Sequence, residues 1–191
     1  MGQRTLNGDR YEEVFVRGSS DSSVYVGGRA YRNSVVFTRP TDTTVYTAGD
    51  VIGTNSSGSA GSAIHTFATI GPSGNSVILQ SAELLIESAT VPSGMSAFRL
   101  HLYNLPPTAA LDNTAFDLAL ADRSKYVGYV DFSTPTDLGS VLYSQVDFTG
   151  KLLMLATGST ALYCELQTTG SFTPTSGTVF ELRLKTLEVG L

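Results

Sequence analysis

The sequence predicts an all-β protein, a two-layer antiparallel β-sandwich of the jelly-roll kind preceded by an extended N-terminal arm, and three observations lead there. Charged residues make up only 15% of the chain and glycines number 19, so helix-favouring residues are scarce and turn-forming ones plentiful. Short runs rich in β-branched and aromatic residues recur after Val35, about eight of them, at the interval typical of a sandwich. A length of 191 residues suits one domain around a single core.

Residues 1–34 read as the arm. Their apolar clusters, VFV at 14–16 and VYV at 24–26, are too small to bury a core of their own. Fully extended, the segment could reach roughly 110 Å. Residues 35–191 form the expected sandwich domain. SVVFTRP opens it and TDTTVYTAGDVIG interrupts it, followed by a loop of small residues at 54–62. Strands are then expected near 63–70, 76–87, 97–103, 127–132, 141–147, 151–156, 161–167 and 178–189, separated by turns such as GPSGN, VPSG and TTGSFTPTSG. Only ALADRSK at 119–125 suggests a helical turn, and no internal repeat is visible.

Two strands carry more specific expectations. LLMLA lacks polar alternation, so its strand is expected to be covered on both faces. In the last strand Phe180, Leu182 and Leu184 alternate with Glu181, Arg183 and Lys185, but Leu187 and Val189 then fall out of phase. That break predicts a bulge or an interface, which makes Leu187, Val189 and Leu191 candidates for self-association.

The net charge of −5 argues against sequence-independent nucleic-acid binding, which needs a basic surface. The charge is uneven: residues 1–40 hold six basic and four acidic residues, a balance of +2, which leaves −7 for the rest. No run approaches the length of a membrane span, and the N-terminus lacks the apolar segment of a signal peptide, so neither membrane insertion nor export by that route is expected.

The chemistry-bearing residues do not assemble into a motif. Cys164, the one cysteine, excludes an intrachain disulfide, and alternation with Leu162 and Leu166 predicts a buried thiol. In FRLHLYN the pleat places Arg99, His101 and Tyr103 on one face, expected to look toward solvent or another subunit. His65 is expected to be exposed or partly packed, and Asp112, Asp117 and Asp122 to be solvated turn residues. GTNSSGSAGS lacks the lysine and helix of a phosphate loop, and no Gly-x-Ser-x-Gly elbow occurs. No enzyme, metal site or cofactor is therefore expected. The arm differs in carrying arginines and aromatics with few aliphatics, the side chains favoured as interface anchors. Arg4, Arg10, Tyr11, Phe15, Arg17, Tyr25, Arg29, Tyr31 and Arg32 are its contact candidates.

Three stretches bear a resemblance: VVFTRPTDTTVYTAGDVIG at 35–53, FRLHLYNLPPTAALDNTAFDLALADRSKYVGYVDF at 98–132, and ALYCELQTTGSFTPTSGTVFELRLKTLEV at the end. They resemble the small β-sandwich proteins that decorate or cement the heads of tailed bacteriophages. The phrase Phe37-Thr38-Arg39-Pro40-x-Asp42-Thr43-Thr44-x-Tyr46-x-x-Gly49-Asp50 carries most of it. The resemblance covers most of residues 35–191 and none of the arm. It implies a jelly-roll-like homotrimer, made in the host cytoplasm, bound to the major capsid protein on the outer surface of the virion, with the arm candidates above as capsid contacts. A rival reading is an adhesion module of a tail or head fibre, although the chain has no tryptophan for sugar stacking. A small β-sandwich hydrolase is a second rival, and it would need a convergent acid, base or nucleophile that the sequence does not offer.

Overall fold

A computed structural model describes residues 29–54, 62–108 and 110–189. Among them are β1 (Ala30–Thr38), β2 (Val51–Ile52), β3 (His65–Phe67), β4 (Ser76–Ile86), β5 (Phe98–Tyr103), β6 (Tyr126–Phe132), β7 (Thr136–Asp137), β8 (Leu142–Met154), β9 (Leu162–Thr168) and β10 (Val179–Glu188). A single 3-10 turn at Leu120–Asp122 falls inside the expected helical stretch.

The strands form two sheets, ordered β1-β10-β4-β8-β7 and β2-β9-β5-β6, with β3 also paired to β9. The antiparallel pairs are nested: β1 with β10, β2 and β3 with β9, β4 with β8, and β5 with β6. A long hairpin whose successive pairs alternate between two sheets is the jelly roll. The fold expected from sequence is therefore the fold observed.

Alternation explains the core. In β10 the inward side chains are Phe180, Leu182 and Leu184, and in β4 they are Val77, Leu79, Ala82, Leu84 and Ile86. They meet Phe98, Leu100 and Leu102 of β5 and Leu162, Cys164 and Leu166 of β9 in one cluster. Each such aliphatic or aromatic side chain contributes about 1.5–3 kcal/mol on burial. Cys164 is buried, as its alternation predicts.

Several expectations need correction. β1 begins at Ala30, so residues 30–34, assigned to the arm, pair with Leu187 back to Arg183 in the first sheet. The segments expected at 141–147 and 151–156 are one strand, β8, interrupted by an irregularity opposite Gln80. Leu152 and Met154 are 57% and 64% exposed, so the LLMLA run is covered on one face only. The bulge expected at the break in β10 is present in its pairing with β4, between Lys185 and Thr186. The irregular residue lies in β4, where Gln80 is skipped between the partners of Lys185 and Thr186, while pairing with β1 runs on unbroken. Thr186 takes the inward place that an aliphatic residue would fill, its hydroxyl donating to the Ile70 carbonyl in the interior. Leu187 is thereby turned outward.

Candidate functional site

Three polar arrangements could carry function, and each is built by a different connection. The first is the crossover from β1 to β2, residues 39–50. Arg39 follows β1 and is fully buried, so its guanidinium requires internal acceptors. Its Nη2 donates to Asp42 Oδ1 at 2.8 Å, its Nε to the Tyr46 hydroxyl at 3.2 Å, and its Nη1 to the carbonyls of Asp42 and Thr175. The Tyr46 hydroxyl donates in turn to Asp112 Oδ1 at 2.6 Å, and the Gly53 amide donates to the same oxygen at 2.7 Å. Asp42 closes an Asx turn by accepting from the Thr44 amide at 2.9 Å. Burial works to lower the Arg39 pKa, but the bonds to Tyr46 and Asp42 outweigh it and leave it raised. Burial likewise pushes up Tyr46 and Asp112. Asp50 caps the end of the crossover, its Oδ2 accepting from the Thr47 amide at 2.6 Å and hydroxyl at 2.8 Å. The phrase that carries the resemblance is thus a structural knot, in which Arg39 is bonded to Asp42 and Tyr46 and Asp50 to Thr47.

The second arrangement lies on the outer face of the second sheet. Arg99, His101 and Tyr103 do share that face, but the expectation that they look outward is corrected for two of them. His101 is 4% and Tyr103 1% exposed, because the connection from β5 to β6 folds back over the sheet. Phe116 of that connection stacks on the His101 ring with centroids 3.6 Å apart. His101 Nδ1 lies 3.0 Å from the Tyr126 hydroxyl, its Nε2 3.1 Å from Gln167 Oε1, and Tyr103 donates to the buried Glu165 carboxylate at 2.7 Å. Burial lowers the His101 pKa to about 4 and raises that of Glu165. Asp122, expected to be solvated, is buried; it accepts from Lys125 Nζ and the Thr108 amide, both at 2.7 Å, and these bonds hold its pKa down at about 2. His65, expected to be exposed or partly packed, is also buried, stacked on Phe37 with centroids 3.7 Å apart, and burial takes its pKa to about 4. A tyrosine, a histidine and a carboxylate packed this way hold a loop on a sheet. Among the described residues no three His, Cys, Asp or Glu side chains come together as a metal site.

The third arrangement is the outer face of the first sheet, where β1, β10, β4 and β8 present their alternate side chains. A hollow of about 380 Å³ opens there, lined in part by Arg32, Ser81, Glu83, Asp147 and Lys185. Arg183 reaches Glu181 at 2.7 Å and Glu83 at 3.4 Å, and Arg32 lies 3.8 Å from Glu83.

The predicted contact residues divide accordingly. Arg4, Arg10, Tyr11, Phe15, Arg17, Tyr25 and Leu191 lie outside the described residues. Arg29 stands just before β1 with its guanidinium 5.1 Å over the Tyr31 ring, and Tyr31 donates to Glu188 at 3.3 Å. Arg32, Leu187 and Val189 are brought to the first sheet, where Arg32 is 68% exposed. Sequence reasoning missed the structural role of the buried Arg39 and Tyr46 and the half-buried Asp112. An arginine between a strand and a proline, with an aspartate three positions on, was the available signal.

Fold and site together define, among the described residues, an eight-stranded jelly-roll sandwich, elaborated by the short strands β3 and β7, whose buried polar side chains are bonded internally except at Asn104 Oδ1. No family model matches the sequence, and no curated protein matches it. Solved structures similar to the chain include the capsid of Ralstonia phage GP4, at 13% identity and TM-score 0.39, covering 92% of this chain and 93% of that one. The capsid asymmetric unit of cyanophage Pam1 is similar at 13% identity and TM-score 0.33, covering 91% and 94%. A full particle of Israeli acute paralysis virus gives 13% identity and TM-score 0.34, covering 98% and 79%. The fold assignment rests on the strand order and not on these likenesses.

Proposed function

We propose that this chain is a structural protein of a bacteriophage virion, a decoration or cement protein that binds the outer surface of the major capsid protein lattice as a homotrimer. The observation that carries the reading is the use of its buried polar groups. Arg39, Tyr46 and the half-buried Asp112 are bonded to one another and to the backbone, His101 is held between Tyr126 and Gln167, and Tyr103 donates to Glu165, so these groups serve the fold, which suits a rigid body that holds other molecules. The resemblance of residues 35–53, now seen as the knot between β1 and β2, supports the same reading.

The mechanism is mass action. A protein that binds only the assembled shell adds its binding free energy to that state and so opposes disassembly. Repetition over many sites turns weak contacts into a lasting attachment. Arginines and tyrosines of residues 1–28, with Arg29 and Tyr31, would anchor it to the neighbouring protein.

The test is co-sedimentation of the full chain with purified capsid shells, beside a variant lacking residues 1–28, a deletion that stops short of β1. Binding by the full chain and at least about tenfold weaker binding by the variant is the expected result. Failure of the full chain to sediment with shells, together with a retained glycan-array signal, would replace this reading with the adhesion module.

A further inference from the structure

We propose that the outer face of the first sheet is a self-complementary surface, on which a second copy of this chain stacks about a two-fold axis running along the strands, between β10 and β4. Strand pairing sets the outward side chains of β1, β10, β4 and β8 in level rows. One row is apolar, from Ala30 through Leu187 and Ile78 to Leu152. The next runs from Arg32 through Lys185 and Ser81 to Asp147, cationic at one end and anionic at the other. A two-fold along the strands keeps each row level with itself while exchanging β1 with β8 and β10 with β4.

The consequences can be read from the register. Arg32 of one copy lies over Asp147 of the other, and Leu187 over Ile78. One row further, Arg183 meets Glu83, and beyond it Val36, 61% exposed, meets Tyr143. Lys185 lies over Ser81, the smallest side chain of its row, at the hollow of about 380 Å³, which has room for a long cationic side chain. Glu181 over Leu85 gains nothing, but that carboxylate is already held by Arg183 at 2.7 Å. The other two-fold in the plane, perpendicular to the strands, would set Lys185 over Arg183 and repel. Charge complementarity therefore selects both the occupant and the axis.

Four strands about 4.8 Å apart and four rows about 6.8 Å apart give a face of roughly 500 Å² per copy, near the small end of specific interfaces. The pairing is accordingly weak and reversible, suited to contacts multiplied on a lattice. The inference is independent of the virion reading, since its test is the association of the isolated chain.

The experiment is sedimentation equilibrium of the full chain from micromolar to near-millimolar concentration, with Arg32→Glu, Asp147→Lys and their equimolar mixture. Wild type doubles its mass with concentration, whatever other symmetric contacts it holds. Each single variant associates at least about tenfold more weakly, because like charges then face each other twice. The mixture recovers, since a copy carrying Arg32→Glu stacked on a copy carrying Asp147→Lys has one reversed and one native pair. A wild type with no concentration dependence, a single variant that associates as wild type does, or a mixture that fails to recover overturns the proposal. Unassociated wild type whose binding to capsid shells is lost in Arg32→Glu would do so as well, by giving the face to another partner.

Discussion

The guanidinium of Arg39 and the hydroxyl of Tyr46 meet in the interior at 3.2 Å, a buried cation and a phenol joined through Asp112 to the start of the second sheet. Arg39 follows β1 and Tyr46 precedes β2, so the pair fixes where the chain crosses between layers. Removing the cation leaves the Tyr46 hydroxyl and the Asp42 and Thr175 carbonyls without their donor and empties the space of a fully buried side chain. Arg39→Ala is expected to destabilise by about 3–5 kcal/mol in urea unfolding. Asp42→Asn should cost about 1 kcal/mol or less, because the Asp42 side chain is 48% exposed. Equal losses for the two substitutions would contradict the knot described here.

Gly94 offers a sharper geometric test. Its φ is +83°, and a Cβ built there would lie 2.2 Å from the Ser171 carbonyl oxygen, a backbone atom that side-chain rotation cannot relieve. Gly139 has φ +104° and nothing within 4 Å of such a Cβ. Gly139→Ala therefore incurs only the backbone strain, about 1–2 kcal/mol. Gly94→Ala must in addition separate the connections before β5 and after β9, and a loss at least about 2 kcal/mol greater is expected in the same unfolding assay. Similar losses would mean that the two connections are not in contact.

Much of this fold is legible in the sequence, and what is not has identifiable causes. Alternation in β5, β9 and β10 announces the core, because a strand with one buried face must repeat with period two. The outward turn of Leu187 was detectable as a break in phase. Its cause was hidden, since it depends on Thr186 reaching the Ile70 carbonyl, 116 residues away in sequence. The burial of His101 was equally hidden: Arg99, His101 and Tyr103 have the pattern of a wet face, and only the return of Phe116 over the sheet covers it. β1 was assigned too short because Arg32, Asn33 and Ser34 look like a linker, yet an edge strand whose outer face carries side chains to solvent or a partner tolerates them.

Those buried rings predict a pH dependence. His65 and His101 have pKa values near 4, below the ordinary 6.5, because burial opposes their charged forms. The unfolded chain therefore binds more protons between these values, and stability is complete above pH 6.5 and declines as pH falls toward 4. The loss is on the order of 3 kcal/mol for each histidine. Glu165 acts with the opposite sign: its raised pKa makes its contribution greatest at low pH and weakens it as pH rises through the folded value. Urea unfolding at pH 7 and pH 4.5 should show the decline, and Glu165→Gln should steepen it. The chain's two histidines also permit a direct reading by NMR, where titration of either near its ordinary value would contradict its burial.

Cys164 supplies a reporter on the whole sandwich. It is fully buried on β9, between β5 on one side and β3 on the other, and burial, with the nearby Glu165 carboxylate adding to it, pushes its thiol pKa up. A neutral, enclosed thiol is a poor nucleophile, so an aromatic disulfide reagent should reach it only when β9 separates from its neighbours. Because the chain has one cysteine, the reaction monitors one site. The native protein is expected to react at a rate set by its unfolding equilibrium, and Arg39→Ala and Gly94→Ala should accelerate the reaction about tenfold for each 1.4 kcal/mol of stability they lose. Rapid labelling of the native chain, unchanged in both variants, would mean that β9 opens locally while the knot between β1 and β2 stays closed.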